Sequence, residues 1–421
     1  MDVVDRADGA DRADGADRAS TEFAFAFLFA DTGGGHRASA LAVKQALESN
    51  SSISCRVELL DPTANSRSSL VRSADMLYGR CIRSAPWFWA VLFHLSNRRW
   101  VVRLLRLTVL HGLGSAVSEQ SGGGRFDGVV SFHPLLGDAS RCLADTHPSL
   151  HSPAVEAFVA TVVTDLVSPH AAWAHRNVDA MFVPNATSAA ALVERGVDPR
   201  RCHRVGLPVG LQFVQPRSAT DVGRAEVRAR LELDDRFTVL LVGGGEGTGG
   251  LFRKARAVLR ACEGVQVCVV TGRNQRLRRR LERLQRSYVG TLHVAGFVDN
   301  MADWMRVADI VISRAGPGTL AESFAVGTPV LVTGHLPGQE RHNPEFVSIG
   351  RAGFETTRLR HITSTVNEFA AHPERLEPHV WSARLLARPS AAADIAAHLV
   401  RIAQERRAIF SAVEPLVEAV S

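Results

Sequence analysis

The sequence predicts an α/β protein of two domains, each with a parallel sheet, that face each other across a cleft. Three observations support this prediction. Apolar runs alternate with helical patterns along most of the chain, which indicates βα units. These runs form two series, separated by a polar, arginine-rich segment near residues 215–235. The chain has 421 residues, 46% of them hydrophobic, and this length suits two domains better than one.

Each series supplies five predicted strands. The first series covers residues 23–30, 55–60, 128–131, 157–163 and 180–183. The second covers residues 238–242, 265–270, 291–294, 310–313 and 329–332. We therefore expect two Rossmann-like domains, at residues 21–210 and 211–385, with ligand loops at the carboxyl ends of both sheets. Helices in residues 386–421 are expected to cross back to the first domain.

The start of the chain and its cysteines predict an intracellular protein. Residues 1–20 repeat charged and small residues (RADGADRADGADRA), so we expect a disordered tail. This segment lacks a signal-peptide-like apolar stretch, and its aspartates argue against an organelle transit peptide. The six cysteines are scattered without a CxxC pair, which indicates reduced side chains.

The charge balance restricts the class of ligand. Lys and Arg total 49 against 43 Asp and Glu, which gives a net charge of +6 and a pI of about 9.4. Such a protein suits anionic lipid or a phosphorylated substrate. The sequence has no zinc-ligand spacing, no RNP-like strand and no helix-turn-helix pattern, so nucleic acid is not expected as a partner.

Residues 84–114 interrupt the alternation of strands and helices. The segment SAPWFWAVLFHLSNRRWVVRLLRLTVLHGLG combines aromatic and aliphatic residues with arginines. Its longest uncharged stretch, residues 84–97, is too short to span a bilayer. An apolar face bordered by basic residues is typical of a helix that lies in a membrane interface, here with Trp87, Phe88, Trp89 and Trp100. A pair of helices buried in the first domain is the alternative.

The first predicted strand ends in a glycine loop, FLFADTGGGHRASA. Gly33, Gly34 and Gly35 let the backbone approach a ligand, and the N–H groups at the following helix start can face an anion or another polar group. No Lys-Ser/Thr pair follows, so the loop is not a P-loop, and the full dinucleotide spacing is absent. His36 comes directly after the glycines. A tight turn before an ordinary helix is the alternative.

Two more glycine-rich turns follow strands of the second series. VLLVGGGEGTGG has the spacing of a phosphate or pyrophosphate loop at Gly244, Gly245 and Glu246. VISRAGPGTLAES bends the chain and then begins a helix, with the residues Gly316, Pro317, Gly318 and Thr319. Glu322 lies about one turn into that helix, where a carboxylate can accept two ribose hydroxyls. A solvated first-turn charge is the alternative for Glu322.

Two polar motifs complete the candidate site. GHLPGQERHN offers side chains that suit sugar hydroxyls, namely Gln339, Glu340 and Asn343, although a polar loop is the alternative. VVTDLVSPHAAWAH places Asp165 at a strand end, where it is expected to face the cleft. His170, Trp173 and His175 follow shortly after, and each histidine is as well explained by a structural position.

Taken together and in this order, the motifs resemble those of a known family. DTGGGHRASA, TDL with a following His and Trp, GLPV, VGGGEG, AGPGTLAE and GQE with a following Asn are similar to the monogalactosyldiacylglycerol synthases and processive diacylglycerol glucosyltransferases. These are GT-B glycosyltransferases related to the peptidoglycan GlcNAc transferase. The resemblance extends over about residues 23 to 400. It implies inverting transfer of a hexose from UDP-galactose or UDP-glucose to the hydroxyl of diacylglycerol, without a metal or other cofactor.

The resemblance also implies partners and a location. PWFWAVLFHLSN is similar to the membrane-associated insertion on the acceptor side of that family. The implied partners are a UDP-hexose, diacylglycerol and an anionic membrane surface. We therefore expect a peripheral protein on the cytoplasmic face of a membrane.

The roles of individual residues follow from the same resemblance. Gly244, Gly245 and Glu246 would lie near the donor diphosphate, which Gly316, Pro317, Gly318 and Thr319 would frame. Glu322 would hold the ribose, and Gln339, Glu340 and Asn343 the sugar. His36 is implied as the general base, with Asp165 as its partner or rival. Thr248 and Gly210 depart from the family pattern, which has a larger apolar residue and an arginine there.

Two other functions stay open. One is a MurG-like transfer to a lipid-linked pyrophosphate acceptor, and the other is a non-catalytic protein that binds a nucleotide or lipid. The combination of GGGHRASA, TDL and GQE favours the diacylglycerol branch over the first. The complete set of polar site residues argues against the second.

Overall fold

The computed structural model describes residues 22–30, 34–49, 53–63, 86–108, 117, 119–146, 156–214 and 221–418. The predicted tail at residues 1–20, Gly33 and Cys81 lie outside these ranges. Within them the chain forms two six-stranded sheets, in which each strand pairs in parallel with its neighbours. The predicted α/β class is confirmed.

The first sheet has the strand order β2-β1-β3-β4-β5-β6. Its strands are β1 Phe23–Leu28, β2 Cys55–Leu60, β3 Gly128–Ser131, β4 Phe158–Val162, β5 Ala180–Val183 and β6 Cys202–Arg204. Its helices are α1 Gly35–Glu48, α2 Pro86–Ser96, α3 Arg99–Thr108, α4 Gly137–Thr146 and α5 Ala186–Val193. All six residues of β1 are buried, as expected for a parallel strand covered on both faces.

The second sheet has the strand order β12-β11-β10-β7-β8-β9. Its strands are β7 Thr238–Val242, β8 Gln266–Val270, β9 Leu292–Ala295, β10 Ile310–Ser313, β11 Val330–Val332 and β12 Gly353–Glu355. Its helices are α6 Asp221–Arg230, α7 Leu251–Ala261, α8 Gln275–Gln285, α9 Met301–Val307, α10 Pro317–Val326, α11 Asn343–Ile349, α12 Leu359–Ala371 and α13 Glu377–Leu386.

The predicted strands agree closely with the observed ones, but two edge strands were not predicted. β6 and β12 each have three residues and occupy the outer edge of a sheet. Their sequences, CHR and GFE, contain no apolar run. Such short strands leave no periodic signal in a sequence.

The last helix, α14 Ala391–Glu418, packs on the first sheet. Ile395 and Leu399 are completely buried in one cluster with Phe25 of β1. The chain therefore passes from the first sheet to the second and back again. The two segments that connect the sheets touch where Gly206 packs against Arg388. Gly206 has φ +103°, and a Cβ there would collide with the arginine side chain.

Helices α2 and α3 form a surface pair that we call the aromatic hairpin (residues 86–108). Trp87 is 69% exposed and Trp100 is 65% exposed, and Phe88 is exposed as well, whereas Trp89 is half-buried. The alternative, two helices buried in the first domain, therefore does not hold for the outer face of the hairpin, where these side chains are exposed. Within the described ranges, no helix is both long and apolar enough to cross a bilayer.

Candidate active site

The candidate residues cluster in loops at the carboxyl ends of the strands in both sheets. Loops after β1, β3 and β4 supply the first half of the site, and loops after β7, β10 and β11 supply the second. In a parallel sheet these ends share one edge, which is where ligands bind in open α/β folds.

His36 lies in the first turn of α1. Its Nδ1 is 2.8 Å from Thr164 Oγ1, and its ring packs edge-on against His133 with 4.7 Å between the centroids. Burial lowers the pKa of His36 to about 4, and a hydrogen bond with the backbone of Phe132 opposes this shift only in part. The imidazole is therefore neutral at neutral pH, which is the form that can accept a proton, but a pKa of about 4 makes it a weaker base than an ordinary histidine.

Gly34 shapes the loop before His36. It is the N-cap of α1 with φ +84°, a left-handed conformation that favours glycine. A Cβ at Gly34 or Gly35 would meet no atom of the described protein within 4 Å. Backbone conformation, rather than crowding by protein atoms, is thus the reason for glycine at position 34, and the start of α1 borders open space.

Asp165 follows β4 and is buried. Its Oδ2 accepts hydrogen bonds from Trp173 Nε1 at 2.8 Å and from the backbone N–H of His170 at 3.1 Å. Burial raises the pKa of Asp165 to about 6, and the charge of Glu340 from the second sheet acts in the same direction. Asp165 thus orders the turn after β4, while His36 bonds the preceding threonine instead.

The two other histidines of this motif have structural partners. His170 Nδ1 accepts a hydrogen bond from the N–H of Ala172 at 3.1 Å, and its Nε2 lies 3.2 Å from Ser96 Oγ in α2. His175 is buried, with its Nε2 3.0 Å from the carbonyl oxygen of Pro134. Both histidines stabilise the loop around Asp165.

The glycine loop after β7 is packed on one side and open on the other. Gly247 has φ +56°, and a Cβ there would collide with the carbonyl of Thr271. The N–H of Arg273 donates to the carbonyl of Gly245 at 2.8 Å. Gly244, with φ +66°, faces open space, and Glu246 beside it is half-buried. The open side leaves room for a ligand.

The loop after β10 leads into α10. Gly316 is the N-cap, Pro317 is the first helical residue and Thr319 is half-buried in the first turn. A Cβ at Gly318 would meet no described atom within 4 Å. Glu322, one turn further, is half-buried and makes no hydrogen bond or ion pair with a described residue, and burial raises its pKa to about 7.

The loop after β11 and the first residue of α11 contribute three predicted residues in different surroundings. Gln339 is half-buried, whereas Glu340 is 1% exposed and accepts a hydrogen bond at Oε2 from the N–H of Leu336 at 2.6 Å. Asn343 is completely buried, and its Nδ2 donates to the carbonyl of Ala315 at 2.9 Å. Asn343 therefore holds the loop that precedes α10.

Arg314 connects these three loops and was not predicted. Its Nη1 donates to Thr248 Oγ1 at 3.0 Å, and its Nε lies 3.3 Å from Glu340 Oε1. The hydroxyl of Thr248, at one of the positions that depart from the family pattern, accepts a bond that an apolar residue there would not accept. The position of Arg314 directly after a predicted strand was the available signal.

Lys254 of α7 is a second cation that was not predicted. The side chain is buried, and its Nζ donates to the carbonyl of Gly249 and to Thr333 Oγ1, both at 2.6 Å. Burial lowers the pKa of Lys254 to about 8. Arg314 and Lys254 together bring positive charge to the loops that the family resemblance assigns to a diphosphate. In the part of the chain that the structure describes, no group of His, Cys, Asp or Glu could hold a metal ion.

Comparison with known proteins gives two matching family patterns. The pattern "Monogalactosyldiacylglycerol (MGDG) synthase" matches residues 36–209, and "Glycosyltransferase family 28 C-terminal domain" matches residues 238–357. Among solved structures, MurG of Acinetobacter baumannii is similar with a TM-score of 0.56 at 18% identity, over 90% of this chain and 99% of that one. The glycosyltransferase WaaG has a TM-score of 0.52 at 14% identity, over 89% and 99%. These structures show a shared fold.

Curated relatives are similar over most of their length. The chain is 32% identical over 387 residues to "Probable monogalactosyldiacylglycerol synthase 2, chloroplastic" of Oryza sativa subsp. japonica, which covers 90% of this chain and 80% of that protein. It is 29% identical over 395 residues to "Monogalactosyldiacylglycerol synthase 3, chloroplastic" of Arabidopsis thaliana, with 91% and 82% covered. The chain therefore belongs to the monogalactosyldiacylglycerol synthase family of glycosyltransferases and has the GT-B fold.

Proposed function

We propose that the protein transfers a hexose from a UDP-sugar to the free hydroxyl of diacylglycerol, with galactose as the preferred hexose. The observation that carries this proposal is the approach of loops from the two sheets, since the ring of Phe93 lies 4.9 Å from that of His170 in the loop after β4 and packs against the backbone of Gly338 in the loop after β11. A donor bound on the second sheet would therefore present its sugar to His36 and Asp165. The names of the curated relatives favour galactose over glucose and diacylglycerol as acceptor.

The donor diphosphate would lie between the glycine loop after β7 and the start of α10. Unpaired N–H groups at a helix start favour an anion, and the charges of Arg314 and Lys254 add to that field. The carboxylate of Glu322 would accept hydrogen bonds from the ribose hydroxyls. Gln339 is available to the sugar, and Glu340 is oriented by Arg314.

The reaction would be a single displacement at the anomeric carbon. The acceptor oxygen forms a bond to this carbon while the bond from the carbon to the β-phosphate oxygen breaks. UDP leaves with the electron pair, and attack from the opposite side inverts the anomeric centre. His36 takes the acceptor proton, with Asp165 as the alternative base, and such a base contributes about 10²–10⁴-fold to the rate. The helix start and the loop N–H groups stabilise the departing UDP.

The aromatic hairpin would hold the cleft at a membrane surface. Its outer face presents Trp87 and Trp100 together with the exposed arginines Arg98 and Arg103. Aromatic side chains bordered by basic ones suit the headgroup region of an anionic bilayer. Diacylglycerol could then reach the cleft from the bilayer. The expected cytoplasmic side stays a prediction.

The proposal is tested with purified protein, diacylglycerol vesicles and radiolabelled UDP-galactose or UDP-glucose, followed by thin-layer chromatography of the lipids. We expect label in a glycosyldiacylglycerol with UDP-galactose as the better donor, and none without diacylglycerol. A parallel incubation replaces diacylglycerol with a polyprenyl-pyrophosphate lipid, and label that enters this lipid but not diacylglycerol would favour the MurG-like function. Binding of UDP without any lipid labelling would favour a non-catalytic protein.

A further inference from the structure

Phe93 is the inward-facing member of an otherwise exposed stretch of α2. Its side chain is only 7% exposed, whereas Val91 and Leu95 on the same helix are 46% and 51% exposed. The aromatic hairpin thus has an outer apolar face and a narrow inner contact. What Phe93 touches on the inside decides what the hairpin can influence.

The ring of Phe93 touches both halves of the candidate active site. Its centroid lies 4.9 Å from that of His170, in an edge-to-face arrangement, in the loop after β4. On the other side it packs against the backbone of Gly338, in the loop after β11, because a Cβ on Gly338 would lie 2.5 Å from the ring atoms Cδ1 and Cγ. One side chain therefore contacts loops of both sheets.

Each of these loops carries residues of the proposed reaction. Gly338 immediately precedes Gln339 and Glu340, which are assigned to the donor sugar. The backbone N–H of His170 donates to Asp165. A shift of Phe93 would therefore move the donor side and the acceptor side of the cleft relative to each other.

Further contacts at the end of α2 fix the hairpin to the acceptor side. Ser96 Oγ lies 3.2 Å from His170 Nε2, and Asn97 Oδ1 accepts a hydrogen bond from the N–H of Ala171 at 2.6 Å. These polar bonds attach α2 to a loop of the first sheet, whereas Phe93 makes an apolar contact with the loop of the second sheet at Gly338. Its loss would leave α2 attached to the acceptor loop, with a void against the donor loop.

We propose that Phe93 is a positioning residue that couples the seating of the aromatic hairpin on a membrane to donor binding in the cleft. The inference rests on the proposed membrane role of the hairpin. A bilayer that holds α2 in this orientation also holds the loops at Gly338 and His170 together. Because linkage is reciprocal, vesicles raise the affinity for UDP by the same factor by which UDP raises the affinity for vesicles.

The test uses the full chain and measures both sides of this linkage. UDP binding is measured by calorimetry with and without vesicles of phosphatidylcholine and phosphatidylserine that contain no diacylglycerol. Vesicle binding is measured by co-sedimentation with and without UDP. For the wild type we expect both affinities to rise by a common factor of about five or more, the lower end of typical couplings.

Phe93→Ala and Leu92→Ala form a matched pair on α2. Phe93→Ala should keep vesicle binding near that of the wild type and lose the common factor. Leu92 is exposed, so Leu92→Ala should weaken vesicle binding and retain the factor once vesicles are saturating. If Phe93→Ala melts too early to measure, Phe93→Leu, which keeps an apolar side chain, should show a reduced factor.

Three results would overturn the inference. The first is a wild type that binds vesicles with unchanged UDP affinity, which contradicts the coupling and leaves the membrane role intact. The second is an undiminished factor in Phe93→Ala. The third is a wild type that does not co-sediment with vesicles, which contradicts the proposed membrane role as well.

Discussion

Glu322 should make the affinity for UDP depend on pH in a way that a glutamine at this position removes. Burial raises the pKa of the Glu322 carboxyl to about 7, and no described residue pairs with it. Ribose hydroxyls donate hydrogen bonds, so they favour the ionised carboxylate. Binding of UDP below pH 7 must therefore release the proton of Glu322, and affinity should fall as the pH falls.

The size of the effect follows from the fraction of ionised carboxylate. At pH 6, about one unit below the pKa, roughly a tenth of the Glu322 side chains carry a charge. UDP should then bind about tenfold more weakly than at about pH 8, which corresponds to ~1.4 kcal/mol. Glu322→Gln removes the ionisation, and at about pH 8 it should bind UDP more weakly than the wild type because charged hydrogen bonds contribute about 1.5–3 kcal/mol.

Calorimetric titration of both proteins with UDP across this pH range measures the effect. The phosphate of UDP itself titrates near pH 6, but it does so equally with both proteins. The ratio of the wild-type affinity to the Glu322→Gln affinity therefore isolates the carboxyl group. A ratio that does not change with pH would refute the assignment of Glu322 to the ribose.

Three further predictions concern catalysis, membrane binding and stability. His36→Ala should reduce turnover by about 10²–10⁴-fold at unchanged UDP affinity. If His36→Ala instead keeps near-normal turnover and Asp165→Asn shows a loss of that size, the base is Asp165. Exchange of Trp87 and Trp100 for Ser should reduce vesicle co-sedimentation, and a collapsed melting curve instead would indicate a structural role. Burial lowers the pKa of Lys254 to about 8, so between about pH 8 and 10 the unfolded chain binds a proton that the folded protein lacks. In denaturant titrations, the free energy of unfolding of the wild type should then rise relative to that of Lys254→Met as the pH increases from about 8 to 10.

The fold was predictable because its central strands are buried on both faces. A run such as FAFAFL in β1, apolar at every position, indicates a central strand of a sheet that is covered on both faces. The glycine loops were predictable as well, since their composition marks the ends of those strands. β6 and β12 were not, because three residues at a sheet edge are held by pairing with a neighbour rather than by burial of their own side chains.

The site was predictable only as far as its motifs extend along the chain. The family resemblance gave Asp165 as the partner or the rival of His36. In the structure His36 Nδ1 lies 2.8 Å from Thr164 Oγ1, while Asp165 accepts a hydrogen bond from Trp173. Arg314 joins loops that are far apart in sequence, so its role depends on tertiary contacts that no local pattern records. A resemblance to a family supplies residue roles, but not these connections.

The return of α14 to the first sheet has a consequence for the order in which the protein folds during synthesis. Phe23, Phe25 and Phe27 share their core with Ile395 and Leu399, which leave the ribosome after the whole second sheet. At about 5–20 residues per second, roughly 10–40 s separate the appearance of β6 from that of α14. During this interval the aromatic face of β1 has the cover of α1 residues such as Val43 but lacks that of α14. We therefore expect nascent chains that end before α14 to bind chaperones and to be cleaved by proteases, while chains that include it resist both.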